Sequence, residues 1–260
     1  MNAAAENFSA VARERFLARE GRPLLIGDWT RALFVHFEIP AECLQPHIPF
    51  ELDLWNGVAY VSLVAFNMER LRLNFGGVLG RLLFWPISHH RFLNLRTYVV
   101  HNGRSAIYFI SEWLNNPVCV LGGPVAYGLP YRYARINYAH DPGCQTLEGN
   151  VGGAFKYCGE ISAASEFREC ASGSLDEFLI ERYTAFTRIG GFARYFDIWH
   201  DPWKQVSASI CIQDDRLIRT AFPWFSEARL ASANYSTGVR NVWMGAPHRA
   251  ARAEIGRAHV

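Results

Sequence analysis

Apolar positions along this chain fall mostly into runs of strand length, separated by Gly, Pro, Asn and Asp, and only two stretches keep a helical period. "ENFSAVARERFLARE" puts Phe8, Val11, Ala12 and Phe16 on one face, which predicts a short amphipathic helix over residues 5–19. "SGSLDEFLIERYTAF" predicts the best helix. Ser174 and Glu177 have capping-box spacing, and Leu175, Phe178, Leu179, Tyr183 and Phe186 share a face. "PAECLQPHIP" predicts a helical turn ending before Pro46.

The rest reads as strand. "LDLWNGVAYVSLVAF" and "RFLNLRTYVVHNGRSAIYFISEW" predict hairpins turning at Asn56-Gly57 and Asn102-Gly103. "RALFVHFEI", "AFKYCGEIS", "GFARYFDIWH", "KQVSASICIQ", "EARLASANYS" and "VRNVWMG" add further strands. Residues 70–91, rich in Gly and Arg and carrying Pro86, predict a long loop or lid with short helical pieces. Many strands and few helices define an α+β class with a mainly antiparallel sheet.

Length and composition sharpen this picture. A chain of 260 residues, half of them hydrophobic, can bury one large core. We expect a helical extension at residues 1–22 and a single β-rich domain over 23–253. The last residues, "EIGRAHV", match the translation of a common sequencing adapter, so Glu254 to Val260 is expected to be non-native. A net charge of +2, with no basic run, gives no reason to expect a nucleic-acid partner. No apolar run reaches spanning length, so no membrane partner is expected. The cysteines form no CxxC pair and no signal peptide is evident, from which we expect a reducing, cytoplasmic setting. The sequence leaves homo-oligomer formation open.

Candidate chemistry narrows by elimination. His89-His90, His140 and His200 have no spaced ligand partners, so no metal is expected and surface or loop roles are assigned to them. There is no GxSxG nucleophile elbow, no P-loop and no strand–GxGxxG–helix pattern, and no cofactor is expected. What remains is polar side chains within apolar strand patterns: Arg96, Glu112, Tyr131 and Arg132, with Glu181 and Arg182 on the capped helix. A buried arginine needs a partner. Either Arg96 and Arg132 pair internally with Glu112 or Glu181, or they line a pocket for a small anion.

The run "RTYVVHNGRSAIYFISEWLNNPVCVLGGPVAYGLPYRYARI", with "FLIERYTAF" further on, resembles the domain-of-unknown-function 2071 family, over roughly residues 23–249. That family is related to the acetoacetate decarboxylase-like fold, so the resemblance implies a β-rich cone or barrel with a few flanking helices around an internal pocket. Decarboxylases of that fold carry a motif like Gly-Phe-Pro-Lys-Lys, whose first lysine forms a Schiff base with a keto acid. Here Gly128, Leu129 and Pro130 fit, while Tyr131 and Arg132 stand where the lysines would be. A phenol makes no imine and a guanidinium stays protonated. All but two of the 26 basic residues are arginine, and the exceptions, Lys156 and Lys204, lie outside the motif.

The expected function is therefore binding of a small polar or anionic organic molecule, a carboxylate being one candidate class. Arg96, Arg132, Tyr98 and Arg182 would hold it, with Tyr131 and Glu112 as the candidate catalytic groups. Two alternatives stand beside it: a structural protein whose own aromatics fill the cavity, and a keto-acid lyase using a displaced lysine.

Overall fold

A computed structural model describes residues 8–141, 143, 145–161, 166–189 and 191–250. The proposed tail at 254–260 lies outside the described residues. The elements are α1 (Phe8–Glu20), β1 (Leu25–Ile39), α2 (Ala41–Leu44), β2 (Glu51–Leu52), β3 (Ala59–Leu73), α3 (Gly77–Phe84), β4 (His90–His101) and β5 (Arg104–Leu114). They continue with α4 (Pro117–Tyr127), β6 (Tyr131–Tyr133), β7 (Ile136–Asp141), β8 (Thr146–Val151), β9 (Phe155–Ile161), α5 (Leu175–Ile180) and β10 (Thr184–Ile189). The last are β11 (Phe192–Trp199), β12 (Val206–Asp214), α6 (Arg216–Ala221), β13 (Arg229–Met244) and β14 (His248–Arg249).

The strands build a mostly antiparallel ring. β13, β1, β3, β4, β5, β10 and β11 pair in succession, and β11 pairs with β13 to close the circuit. Among the described residues, only the β5–β10 and β5–β6 pairings are parallel. β12 leaves β13 and continues through β9, β8 and β7 as an outer arm. The side-chain period of two then splits the core. Ala32 and Phe34 of β1 face the inside of the ring, with Phe66, Phe92 and Phe196. Leu33, Val35 and Phe37 face outward and pack with Phe155, Tyr157 and Phe225 under the arm. Both faces of β1 are covered, which is why its sequence is an almost unbroken apolar run.

The Asn102-Gly103 hairpin forms as read: both residues have positive φ, 51° and 71°, which the tight turn between β4 and β5 requires. Other expectations need correction. Asn56-Gly57 turns, bridged by Trp55 and Val58, but the preceding β2 pairs with β4 rather than β3. α1 buries Ser9, Ala12 and Phe16 against the ring, while Phe8 and Val11 stay exposed. The turn after Pro40 continues past Pro46 as a 3₁₀ segment, Gln45–His47.

The capped helix is shorter than its pattern. Ser174 Oγ accepts from the Glu177 amide as expected, but α5 ends at Ile180. Tyr183 lies beyond it and Phe186 sits on β10. Tertiary partners end the helix: the Glu181 carboxylate accepts from the Trp203 amide (2.8 Å) and the Tyr183 hydroxyl (2.5 Å). Arg182 turns back to the Phe178 carbonyl.

Candidate functional site

The ring encloses a cavity of about 440 Å³, within the range of small-molecule sites. Its walls are mostly aromatic and aliphatic: Trp29, Phe34, Phe66, Phe92, Phe109 and Trp203 are typical. The polar lining is sparse and comes from Asn94, Arg96, Glu112, Tyr131, Arg182 and the imidazoles of His90 and His200.

Local structure aims these groups. Asn94 and Arg96 are two apart on β4 and share a face. On β5, Ile107 and Phe109 line the cavity, and plain alternation would send Glu112 the other way. The register between β4 and β5 shifts between Leu95 and Arg96, which pair with Ser111 and Phe109; this bulge at Ile110 turns Glu112 inward. Glu112 then lies opposite Asn94 on β4 and beside Tyr131 on β6. β6 is placed by α4, which Asn116 caps by accepting from the amides of Val118 and Cys119, and which Gly128 ends in a left-handed conformation.

Of the residues singled out from sequence, Arg96, Glu112, Tyr131 and Arg182 line the cavity. Tyr98 stands behind them, fully buried; its hydroxyl donates to the Leu179 carbonyl (2.8 Å) and hydrogen-bonds Ser62 Oγ (2.7 Å). Arg132 is corrected outright. As the next residue on β6 after Tyr131 it projects outward, exposed, with its guanidinium over the Phe222 ring at 5.8 Å. The histidines are also corrected. His90, His140 and His200 are buried rather than on the surface, because each ring packs among aromatics, although His200 does lie in the loop between β11 and β12.

The anticipated ion pairs are absent among the described residues. Arg182 bonds Asp53 (2.8 Å), which neutralises it at the cavity edge. Arg96 donates from Nη2 to the Leu179 carbonyl (3.0 Å) and lies over the rings of Phe34 and Tyr98, with no carboxylate in salt-bridge range. Its Nε has no hydrogen-bond partner, nor does Glu112 Oε2 or Asn94 Oδ1. Arg96 is 8% exposed, Asn94 4% and Glu112 4%. With the Trp29 indole Nε1, which also lacks a partner, four cavity-lining side chains carry unpaired buried polar atoms, which is costly unless something fills the cavity.

Burial sets the protonation states. Desolvation alone, with no cation offsetting it, pushes the Glu112 carboxyl well above the usual range, which favours its neutral form. Tyr131 is pushed up by desolvation first, then by Glu112, Cys119 and Tyr127. Desolvation depresses His90 and His200 to about 4, leaving both neutral. The Cys119 thiol is raised to about 12, which removes it as a nucleophile. Ser62 and His36 are 2.7 Å apart, the distance of a nucleophile and its base, but both are fully buried and neither lines the cavity. Lys156 and Lys204 are exposed and line no part of it. The remaining chemistry is one uncompensated cation, a carboxylic acid and a phenol that donate, and an aromatic wall.

Sequence reading missed Trp29, His90, His200 and Trp203 as cavity residues. "WHDPW" was the available signal, since its His200 and Trp203 line the cavity.

This closed, mostly antiparallel ring around a pocket has the architecture of the acetoacetate decarboxylase-like fold. An acetoacetate decarboxylase-like enzyme from Sphingomonas wittichii RW1 superposes with a TM-score of 0.61 at 14% identity, over 88% of this chain and 93% of that one. The acetoacetate decarboxylase of Legionella pneumophila gives 0.59 at 16% identity, over 88% and 87%. Within that fold the chain belongs to the DUF2071 family of uncharacterized conserved proteins, whose sequence pattern matches residues 27–240. Bacillus subtilis (strain 168) YqjF is 31% identical over 189 residues, covering 67% of this chain and 72% of that protein.

Proposed function

We propose that this protein binds a small organic acid in the ring cavity, with the carboxylate at Arg96 and an apolar body among the aromatic walls. The observation that carries this is Arg96 itself: a buried guanidinium with a free Nε–H and no carboxylate partner among the described residues. An uncompensated buried charge is expensive, and an anionic ligand offsets that cost through a charge-assisted hydrogen bond. The protonated Glu112 and the Tyr131 phenol add neutral donors on the same side. The open volume argues against a cavity filled by the protein's own aromatics.

Among the described residues imine chemistry has no amine in the cavity, since both lysines are exposed. Any reaction would be non-covalent proton transfer at a carbonyl, through Glu112 or Tyr131, whose neutral forms both carry a proton to give.

Thermal-shift measurements with octanoate, octanol and acetate test the binding. At about a hundredfold excess over Kd, octanoate should raise Tm by roughly 5–10 °C. Octanol and acetate, which each lack one half of the match, should do much less. Arg96→Met should abolish the octanoate shift. Equal shifts from octanoate and octanol, or an undiminished shift in Arg96→Met, would overturn the assignment. Borohydride trapping with acetoacetate should leave no adduct on Lys156 or Lys204; a trapped adduct would restore the lyase reading.

A further inference from the structure

The cavity opens beside α3 and α4. Its more exposed lining residues are Leu24, Leu25, Leu73, Phe84, Ile87, Val118, Gly122 and Ala126, from these helices and the chain next to them. Outside this mouth the two helices present a bare apolar surface. Val78, Leu79, Leu82 and Leu83 of α3 are 65–75% exposed, with Trp85 just beyond at 76%. Leu121 and Val125 of α4 are 78% and 79% exposed. Side chains of this size usually cover something.

Charge indicates what. Neither α3 nor α4 carries an acidic residue. Arg81 projects from α3 itself. Arg22 lies over Phe75 at the start of α3 (5.9 Å), and Arg194 reaches the Ala126 carbonyl at the end of α4 (3.4 Å). The nearby carboxylate of Glu20 is turned inward, held by His248 (2.5 Å). An apolar face with Leu and Trp, fringed by arginine and free of exposed acids along both helices, matches an anionic bilayer surface. It suits a second copy of the chain less well. Two-fold pairing would bring the arginine fringe of one copy against that of the other.

We propose that α3, Trp85 and α4 dock this protein peripherally on an anionic lipid surface, with the cavity mouth facing the bilayer. The absence of a spanning segment, from which the sequence led us to expect no membrane partner, does not bear on this mode: a surface helix buries one face without crossing. No helix among the described residues is long and apolar enough to cross. The inference stands whether or not the cavity ligand is an organic acid.

Vesicle co-sedimentation of the full chain tests it, using phosphatidylcholine alone and phosphatidylcholine with 30 mol% (about one third) phosphatidylglycerol. Binding is expected to the anionic vesicles, with loss as salt is raised. Leu82→Asp with Leu121→Asp should weaken partitioning by about a hundredfold, and Arg81→Glu by more than about fivefold. Both variants should keep the wild-type Tm and the wild-type octanoate response, which separates failed docking from failed folding or failed ligand binding. Quenching of Trp85 by brominated lipid, lost in Trp85→Phe, would place that side chain in the bilayer. No sedimentation with anionic vesicles overturns the proposal. So does a dimer that the Leu82→Asp, Leu121→Asp variant dissociates while vesicle binding is absent, since the apolar face would then belong to a second copy.

Discussion

Asn94 and Glu112 face each other as direct partners across β4 and β5, and each buries a side-chain oxygen that has no hydrogen-bond partner. Burial favours the protonated form of Glu112 there. Its folded pKa lies above its unfolded one, so its contribution is fully present below about pH 4.5 and is lost as pH rises toward the folded value. Glu112→Gln keeps the shape and removes the ionisation. We expect it to stabilise the protein at pH 8 by about 1–3 kcal/mol and to have little effect at pH 5. Urea denaturation at the two pH values checks this. Equal effects at both would mean that Glu112 ionises freely in the folded protein.

Arg96 predicts a trade between binding and stability. Replacing an unpaired buried charge with an apolar residue of similar length commonly stabilises. Leu179, which accepts from Arg96, keeps its bond from the Tyr98 hydroxyl when Arg96 is removed. Arg96→Met should therefore raise stability by about 1–3 kcal/mol in the absence of ligand, read as an increase in urea midpoint at constant slope. A loss of stability would identify Arg96 as a structural strut rather than a ligand-binding group.

These residues also mark how far the sequence could be read. The β4–β5 hairpin was legible because Asn102-Gly103 admits few alternatives between two apolar runs. The family elements around "RTYV", "YGLPY" and "ERY" carried the fold. α4 was not legible: Gly122, Gly123 and Pro124 argue locally against a helix, and the Asn116-Pro117 start and the Gly128 stop were the only cues. The bulge at Ile110 that aims Glu112 inward leaves no pattern in β5. The outward turn of Arg132 follows from alternation, but only once Tyr131 is known to face the cavity. The overlong reading of α5 failed because Glu181 and Arg182 answer to Trp203 and Asp53, distant in sequence and invisible to a local period.

The buried histidines set the pH response. Desolvation lowers His36 to about 3 and His90, His140 and His200 to about 4. Their folded values lie below the unfolded value, so their contribution is present above about pH 6.5 and is lost as pH falls toward 4. Glu181, raised to about 7 chiefly by desolvation, acts in the opposite direction between about pH 4.5 and 7, as does Glu112. Four imidazoles outweigh two carboxyls. Stability should therefore fall by about 1–3 kcal/mol per pH unit between pH 6 and 4.5. Glu181→Gln should steepen that fall by removing one opposing group. Denaturant midpoints from pH 8 to 4.5 read both effects, and a flat profile would mean that the histidines are not held neutral.

α4 sets how Tyr131 reaches the cavity. The Tyr131 ring packs against Gly123 of α4, where an added Cβ would stand 2.2 Å from Tyr131 Cε2. No flexible chain end lies there to yield; the clash is with a ring bounded on another side by Phe92, 5.7 Å away between centroids. Gly123→Ala must displace Tyr131, at a cost of about 1–3 kcal/mol. Gly122 is the matched control: it is in the same helix, with nothing within 4 Å of its Cβ position. Gly122→Ala should be neutral or stabilising by up to about 1 kcal/mol, from helix propensity alone. Because Arg96 is on a different strand, Gly123→Ala should retain an octanoate-dependent Tm shift of reduced size, whereas Arg96→Met should show none. Equal stability of the two alanine variants would mean that the Tyr131 ring moves aside at no cost and is not held at the cavity wall by α4.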